Sequence, residues 1–200
     1  MIAAMSIFDR TSEQFLWLHH SPFLTIFFTW VTYLGDPRAL AVLIASMAVI
    51  LWRNRHHDYV FGFLTTLAGS ILFTYLLKIL VARQRPPLSV AGIDAPGFSF
   101  PSMHAACAMA VYGFLAYMIL KLLHPPHHRA PWVAMITILI ILIGFSRLYL
   151  GVHYPSDVIA GYFIGLFFVL LGAVVTKRLE RHTTRARSRS IRQARSLRRR

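Results

Sequence analysis

The chain has 200 residues, 56% of them hydrophobic and only 14% charged, with a mean hydropathy of +0.57 and a formal net charge of +14. That composition excludes a water-soluble domain of this size and predicts an all-α integral membrane protein, a polytopic transmembrane bundle. The length admits five or six membrane helices of about 20 residues and leaves nothing for a separate soluble domain.

Residues 1–37 form a first segment. Met1 to Arg10 lack the basic start and small-residue cleavage site of a signal peptide, so no processing is expected. Residues 13–35 are long enough to cross a bilayer, but His19, His20, Ser21 and Pro22 interrupt them. Two readings stay open: a sixth, kinked span, or a pair of helices lying in the interface. The bundle proper is predicted over 38–176, with spans at 38–52, 59–81, 103–123, 131–150 and 155–176, the first of them short. The lone cysteine, Cys107, has no intrachain disulfide partner and reads as a small buried side chain.

From 177 to 200 the composition turns to arginine and serine, with eleven Lys or Arg opposed only by Glu180. This predicts a disordered basic tail held at anionic lipid headgroups. Arginine clusters also bind nucleic acid, but neither a folded domain nor interleaved aromatics accompanies this one, and no nucleic-acid partner is expected. If the spans alternate, the tail, the loop Arg53-Asn54-Arg55-His56-His57-Asp58 and the loop from Lys121 to Arg129 share one side, which the positive-inside rule makes cytoplasmic. Loop histidines His56, His57, His124, His127 and His128 lack the cysteine or carboxylate company of a metal site, and no metal or cofactor is expected.

The same parity brings three polar patches together on the other, extracytoplasmic side. The first holds Lys78 and Arg85, seven apart and so two helical turns along one face, before Pro86 and Pro87 stop the helix. Arg83 points elsewhere on that turn and reads as a headgroup contact or a solvated charge. Alone, this patch is also what snorkelling side chains at a span end would give. In the second patch Pro101-Ser102 starts a helix, with Ser102 placed to cap it. The free N–H groups of that first turn, including that of Met103, suit an anion, and His104 lies within the same turn. In the third, Arg147 closes one span, Gly151 and Pro155 shape a turn, and His153 and Asp157 sit four apart. The carboxylate there can accept a hydrogen bond from one imidazole nitrogen and leave the other as nucleophile or base. Cations, a serine and histidines on one membrane face suit a phosphate. Ionisable groups at a span edge are expensive enough to read as functional.

Together the patches resemble the tripartite signature of the type 2 phosphatidic acid phosphatase superfamily, which also includes vanadium-dependent haloperoxidases. Its Lys-x6-Arg-Pro falls on Lys78, Arg85 and Pro86, its Pro-Ser-x-His on Pro101, Ser102 and His104, and its Ser-Arg-x5-His-x3-Asp on Ser146, Arg147, His153 and Asp157. The resemblance covers about 58–176. One departure is Met103, where the family usually has glycine, which puts a bulkier side chain beside the phosphate.

The resemblance implies an integral membrane phosphatase acting on a lipid phosphate or diphosphate without a metal. His153 would attack phosphorus to give a phosphohistidine, Asp157 would orient it, and His104 would protonate the leaving group. Lys78, Arg85, Ser102, Met103 through its backbone N–H, and Arg147 would hold the phosphoryl oxygens. The implied substrates are undecaprenyl pyrophosphate, phosphatidylglycerophosphate, phosphatidic acid or lipid A phosphates, with residues 88–100 as lid or headgroup filter. The competing reading is a phospholipid-binding or transport protein with the same cationic site, against which the intact histidines argue. A large soluble haloperoxidase does not fit this chain, and oligomeric state is not legible.

Overall fold

The computed structural model describes residues 2–87 and 96–197, with side chains described from residue 7 to 182 within those stretches. It contains seven α-helices among these residues: α1 (Ile2–Leu18), α2 (Pro22–Tyr33), α3 (Pro37–Arg53), α4 (His57–Val81), α5 (Met103–Leu122), α6 (Arg129–Tyr149) and α7 (Pro155–Leu197). A short 3₁₀ turn, Pro126–His128, leads into α6. The expected all-helical membrane bundle is observed. Four segments, His57–Val81, Met103–Leu122, Pro126–Tyr149 and Pro155–His182, are each long and apolar enough to cross a bilayer.

The breaks are local chemistry. Pro22, Pro37 and Pro155 each open a helix where their missing N–H costs nothing, and Asp36 caps α3 by accepting from the Arg38 N–H at 2.7 Å. Ser102 caps α5, as its sequence position predicts. α6 ends through Gly151, whose φ of 68° lets its N–H turn back to the Leu148 carbonyl while Val152 N–H reaches that of Arg147.

The segment 13–35 is not one continuous helix: α1 ends at Leu18 and α2 starts at Pro22. The Ser21 N–H donates to the Tyr149 hydroxyl at the end of α6, and at the far end of α2 Thr32 accepts from Arg147. Both ends of α2 therefore contact the last turn of α6. α3 then leaves from there, and its Trp52 packs edge-to-face with His57 at the head of α4, 4.4 Å between ring centres. At 17 residues, about 25 Å by helical rise, α3 falls short of a full span, but with α2 it forms a pair of sufficient length bent by 42°. The described residues therefore give four candidate spans, or five if the bent α2–α3 pair is one.

α4, α5 and α7 form the tightest part. A Cβ on Gly161 would stand 2.6 Å from the Ser102 carbonyl oxygen, and one on Gly165 2.7 Å from that of Ala106, so α7 packs backbone to backbone on α5. Phe63, Val111, Phe114, Ile143 and Leu150 fill the interior, whereas Leu72, Leu80, Ile138, Phe163, Phe167 and Leu170 face outward. A bundle apolar on both its inside and its outside is built for lipid. The tail expected to be disordered continues α7 as helix to Leu197, consistent with the lack of any glycine or proline after Gly172. A composition of arginine, alanine, leucine and serine does not oppose helix.

Candidate active site

The close contact of α5 and α7 fixes two of the three patches against each other, with the Ser102 N–H donating to the Asp157 backbone carbonyl at 3.0 Å. The third patch arrives differently from its sequence register. α4 ends at Val81, and Ala82 adopts a left-handed φ of 46°, so Arg83 and Arg85 leave the helix in an irregular segment. Lys78 and Arg85 still reach one cavity, but not as two turns of one helix.

That cavity, about 420 Å³, is lined by Asp36, Pro37, Arg38, Lys78, Arg85, Pro96, Met103, His104, Arg147 and His153. Six of the eight expected site residues thus meet at one place. The other two, Ser102 and Asp157, are fully buried just behind it. The Ser102 Oγ is occupied as a cap, accepting from the Ala105 N–H at 3.5 Å. Of the loop expected as a filter, Pro96 reaches the wall and 88–95 lie outside the described residues.

Three of the four cations on the cavity wall, Lys78, Arg85 and Arg147, have neutral partners among the described residues. Lys78 Nζ donates to the Phe98 carbonyl at 2.5 Å. Arg85 donates to the carbonyls of Pro96, Gly97 and Val152 at 2.7–3.2 Å. Arg147, 5% exposed, donates to the Thr32 hydroxyl at 2.6 Å and keeps an Nε with no partner among the described residues. Backbone carbonyls orient these groups without neutralising them, so the positive charge remains available to an incoming anion. Burial lowers the Arg85 pKa, with Asp157 opposing the shift. The one carboxylate on the wall, Asp36, lies 3.8 Å from His104 Nε2.

His153 is 4% exposed, its Nδ1 3.4 Å from Asp157 Oδ2 and its Nε2 3.3 Å from an Arg85 N–H at the cavity. Asp157 is held from all sides. Its Oδ2 accepts from the Ser99 hydroxyl and, at 2.9 Å, from the Tyr154 N–H, and its Oδ1 accepts from Arg83 at 2.8 Å. Burial, opposed by the Asp157 hydrogen bond and reinforced by the charges of Arg147 and Arg85, holds the His153 pKa down at about 4. The imidazole is therefore neutral at pH 7, the form a nucleophile needs.

The depressed value has a stability consequence. The folded protein refuses a proton that the unfolded chain accepts below its ordinary pKa of 6.5. This contribution is fully present above pH 6.5 and is lost as pH falls toward 4, to the extent of about 3 kcal/mol. Acid unfolding followed in detergent should show a steeper loss of stability between those limits for the parent than for His153→Gln. Parallel curves would contradict a buried neutral His153.

Arg83 requires a correction. It is neither a headgroup contact nor a solvated charge: besides Asp157 it binds Asp9 Oδ2 at 2.7 Å and the Ser156 Oγ at 2.7 Å, and it stacks 4.0 Å over the Tyr154 ring. Burial opposes its charge, yet the bond to Asp9 and the charge of Asp157 prevail and raise its pKa. The expectation failed because it extended the helical turn past Val81. Asp9, Ser99 and Thr32 went unread as well, having no local signal and entering only through tertiary contact. Asp36 carried one, as an Asp-Pro helix start.

A multi-pass membrane bundle with a cation-lined cavity and a carboxylate-supported histidine at one end defines a membrane protein that handles phosphate groups. The chain belongs to the PAP2 superfamily, whose sequence model matches residues 59–181, more than half its length. It is 31% identical over 169 residues to phosphatidylglycerophosphatase B of Bacillus subtilis (strain 168), covering 82% of each protein. Against the lipid A 4′-phosphatase of Bacteroides thetaiotaomicron it is 30% identical over 203 residues, covering 92% of this chain and 85% of the other. The crystal structure of the transmembrane PAP2-type phosphatidylglycerolphosphate phosphatase from Bacillus subtilis superposes with a TM-score of 0.80 at 28% identity, over 89% of this chain and 88% of that one. The relatives are lipid phosphatases, and the chain is of the same enzyme family.

Proposed function

We propose that this protein removes a phosphate or diphosphate from a membrane lipid through a phosphohistidine on His153, without a metal. The observation that carries the reading is the cavity itself: four cations, of which Lys78, Arg85 and Arg147 have only neutral partners among the described residues, line the space into which His153 Nε2 opens. Such a wall repels a metal ion and supplies the charge stabilisation that an ion would otherwise provide. Among the described residues no three His, Cys, Asp or Glu side chains are grouped to hold one.

In the first step the Nε2 lone pair of His153 forms a bond to phosphorus while the phosphorus–oxygen bond of the ester or diphosphate breaks. The departing oxygen takes a proton from His104. In the second, water adds to phosphorus, gives a proton to His104, and the phosphorus–nitrogen bond breaks to release inorganic phosphate. Asp157 fixes the tautomer throughout, and Lys78, Arg85 and Arg147 hold the equatorial oxygens where charge gathers. The Met103 backbone N–H and the Ser102 cap complete the anion-binding helix start.

The lipid is one of phosphatidylglycerophosphate, lipid A phosphate, undecaprenyl pyrophosphate or phosphatidic acid, and the names of the relatives favour the first two. The basic loops at Arg53–Arg55 and Lys121–Arg129 lie at the end away from the cavity, which supports an extracytoplasmic site on the inner membrane. The test is phosphate release from this panel in detergent with excess chelator. Release should persist, rank the lipids, and fall with vanadate, which mimics the five-coordinate transition state. Abolition by chelator with recovery on adding magnesium would sink the mechanism, and tight binding without release from any lipid would favour the binding protein.

A further inference from the structure

Asp157 is asked to do two opposing things. Its Oδ2 faces the imidazole of His153, where negative charge is useful, while its Oδ1 is bound at 2.8 Å by the Arg83 guanidinium, which draws that charge away. A simple ion pair here would leave the carboxylate half-neutralised toward the histidine. The structure contains an offset. Asp9, 1% exposed on α1, accepts from the other Arg83 nitrogen at 2.7 Å, from the Ser156 hydroxyl at 2.6 Å and from the Ser156 N–H at 3.1 Å.

Two carboxylates therefore share one guanidinium, leaving a net negative charge on the cluster. Burying Asp9 is costly unless it is fully bonded, and all three of its contacts lead to residues that touch or neighbour Asp157. A network built only to tie α1 to α7 would need no second buried carboxylate, since Arg83 already has one. Asp9 also lies outside residues 59–181, so the signature region does not contain it.

We propose that Asp9 is a positioning residue for the reaction: by sharing Arg83 it keeps Asp157 anionic toward His153 and fixes the arginine fork that aims Oδ2 at Nδ1. The inference rests on the reading of His153 as nucleophile. Removing the Asp9 charge turns the Arg83–Asp157 pair neutral and weakens the support of the imidazole. Removing the Arg83 charge as well restores a lone anionic Asp157. Substrate affinity, set by the cavity cations, is left largely alone.

The experiment uses the full chain in detergent micelles and measures single-turnover phosphoenzyme formation and KM on a short-chain phosphatidic acid. Asp9→Asn should slow phosphorylation by about 10- to 100-fold with KM within about threefold of the parent, and adding Arg83→Gln should recover about tenfold or more. A merely structural Asp9 would give a double variant no faster than the single one, and that result, or a single variant within about twofold of the parent, overturns the proposal. If Asp9→Asn does not fold, the charge-balanced double variant decides alone: phosphorylation within about tenfold of the parent supports the role, and slower phosphorylation overturns it. His153→Ala run alongside separates the two layers. A phosphoenzyme surviving in that variant overturns the nucleophile assignment, whereas its loss there with parental rates in Asp9→Asn overturns only the inference about Asp9.

Discussion

His153→Ala is expected to abolish the phosphoenzyme and to lower turnover by about 10⁴-fold or more, because it removes the atom proposed to bond to phosphorus. His104→Ala should behave differently. It lines the same cavity but has no carboxylate comparable to Asp157 behind it, only Asp36 at 3.8 Å, which suits a group that delivers a proton rather than one that attacks. With an alkyl leaving group its loss should cost about 10²- to 10⁴-fold, and with an aryl phosphate, whose oxygen leaves without assistance, only a few-fold. The measurement is radiolabel trapped on the protein, with steady-state release on both substrates. Equal losses for the two variants on every substrate would contradict the division of labour.

Arg147→Met should move stability and activity in opposite directions. The guanidinium is buried, and among the described residues it donates to the neutral Thr32 hydroxyl while its Nε has no partner. Holding an uncompensated charge there destabilises the fold, and an apolar side chain of similar length relieves that by about 1–4 kcal/mol. The same change deletes a donor proposed to hold the phosphoryl oxygens, worth about 10²- to 10³-fold in turnover. Thermal unfolding in detergent should therefore occur at higher temperature in a variant that is nearly inactive, the trade expected where a site stores strain for its ligand. A lower unfolding temperature with turnover retained would show Arg147 to be a structural residue.

Much of this was readable from the sequence because membrane spans announce themselves by hydropathy and because the three patches are each local in the chain. Ser102, His104, His153 and Asp157 sit within a turn of a helix start, where neighbours in sequence are neighbours in space. Arg83 was misread for the converse reason. One left-handed residue, Ala82, redirects the chain, and no periodicity foresees a bond from there to α1. The ambiguity over 13–35 was of the same kind: apolar length alone does not show that the helix breaks before Pro22 and that α2 pairs with α3 at a bend of 42°. The bonds of Ser21 to Tyr149 and of Thr32 to Arg147, which set α2 against the end of α6, join residues more than a hundred positions apart.

Helices α1 and α2 and the start of α3 give the active site a divided ancestry of parts. Signature residues supply the floor, but Asp36, Pro37 and Arg38 build a wall, and Thr32 and Asp9 brace the floor from outside. Two enzymes with identical signatures can therefore admit different headgroups, since selection acting on the first forty residues reshapes the entrance without touching any atom that does chemistry. Swapping that segment between relatives is thus a route to new substrate ranges, provided the donor segment brings its own brace for Arg83 and Arg147.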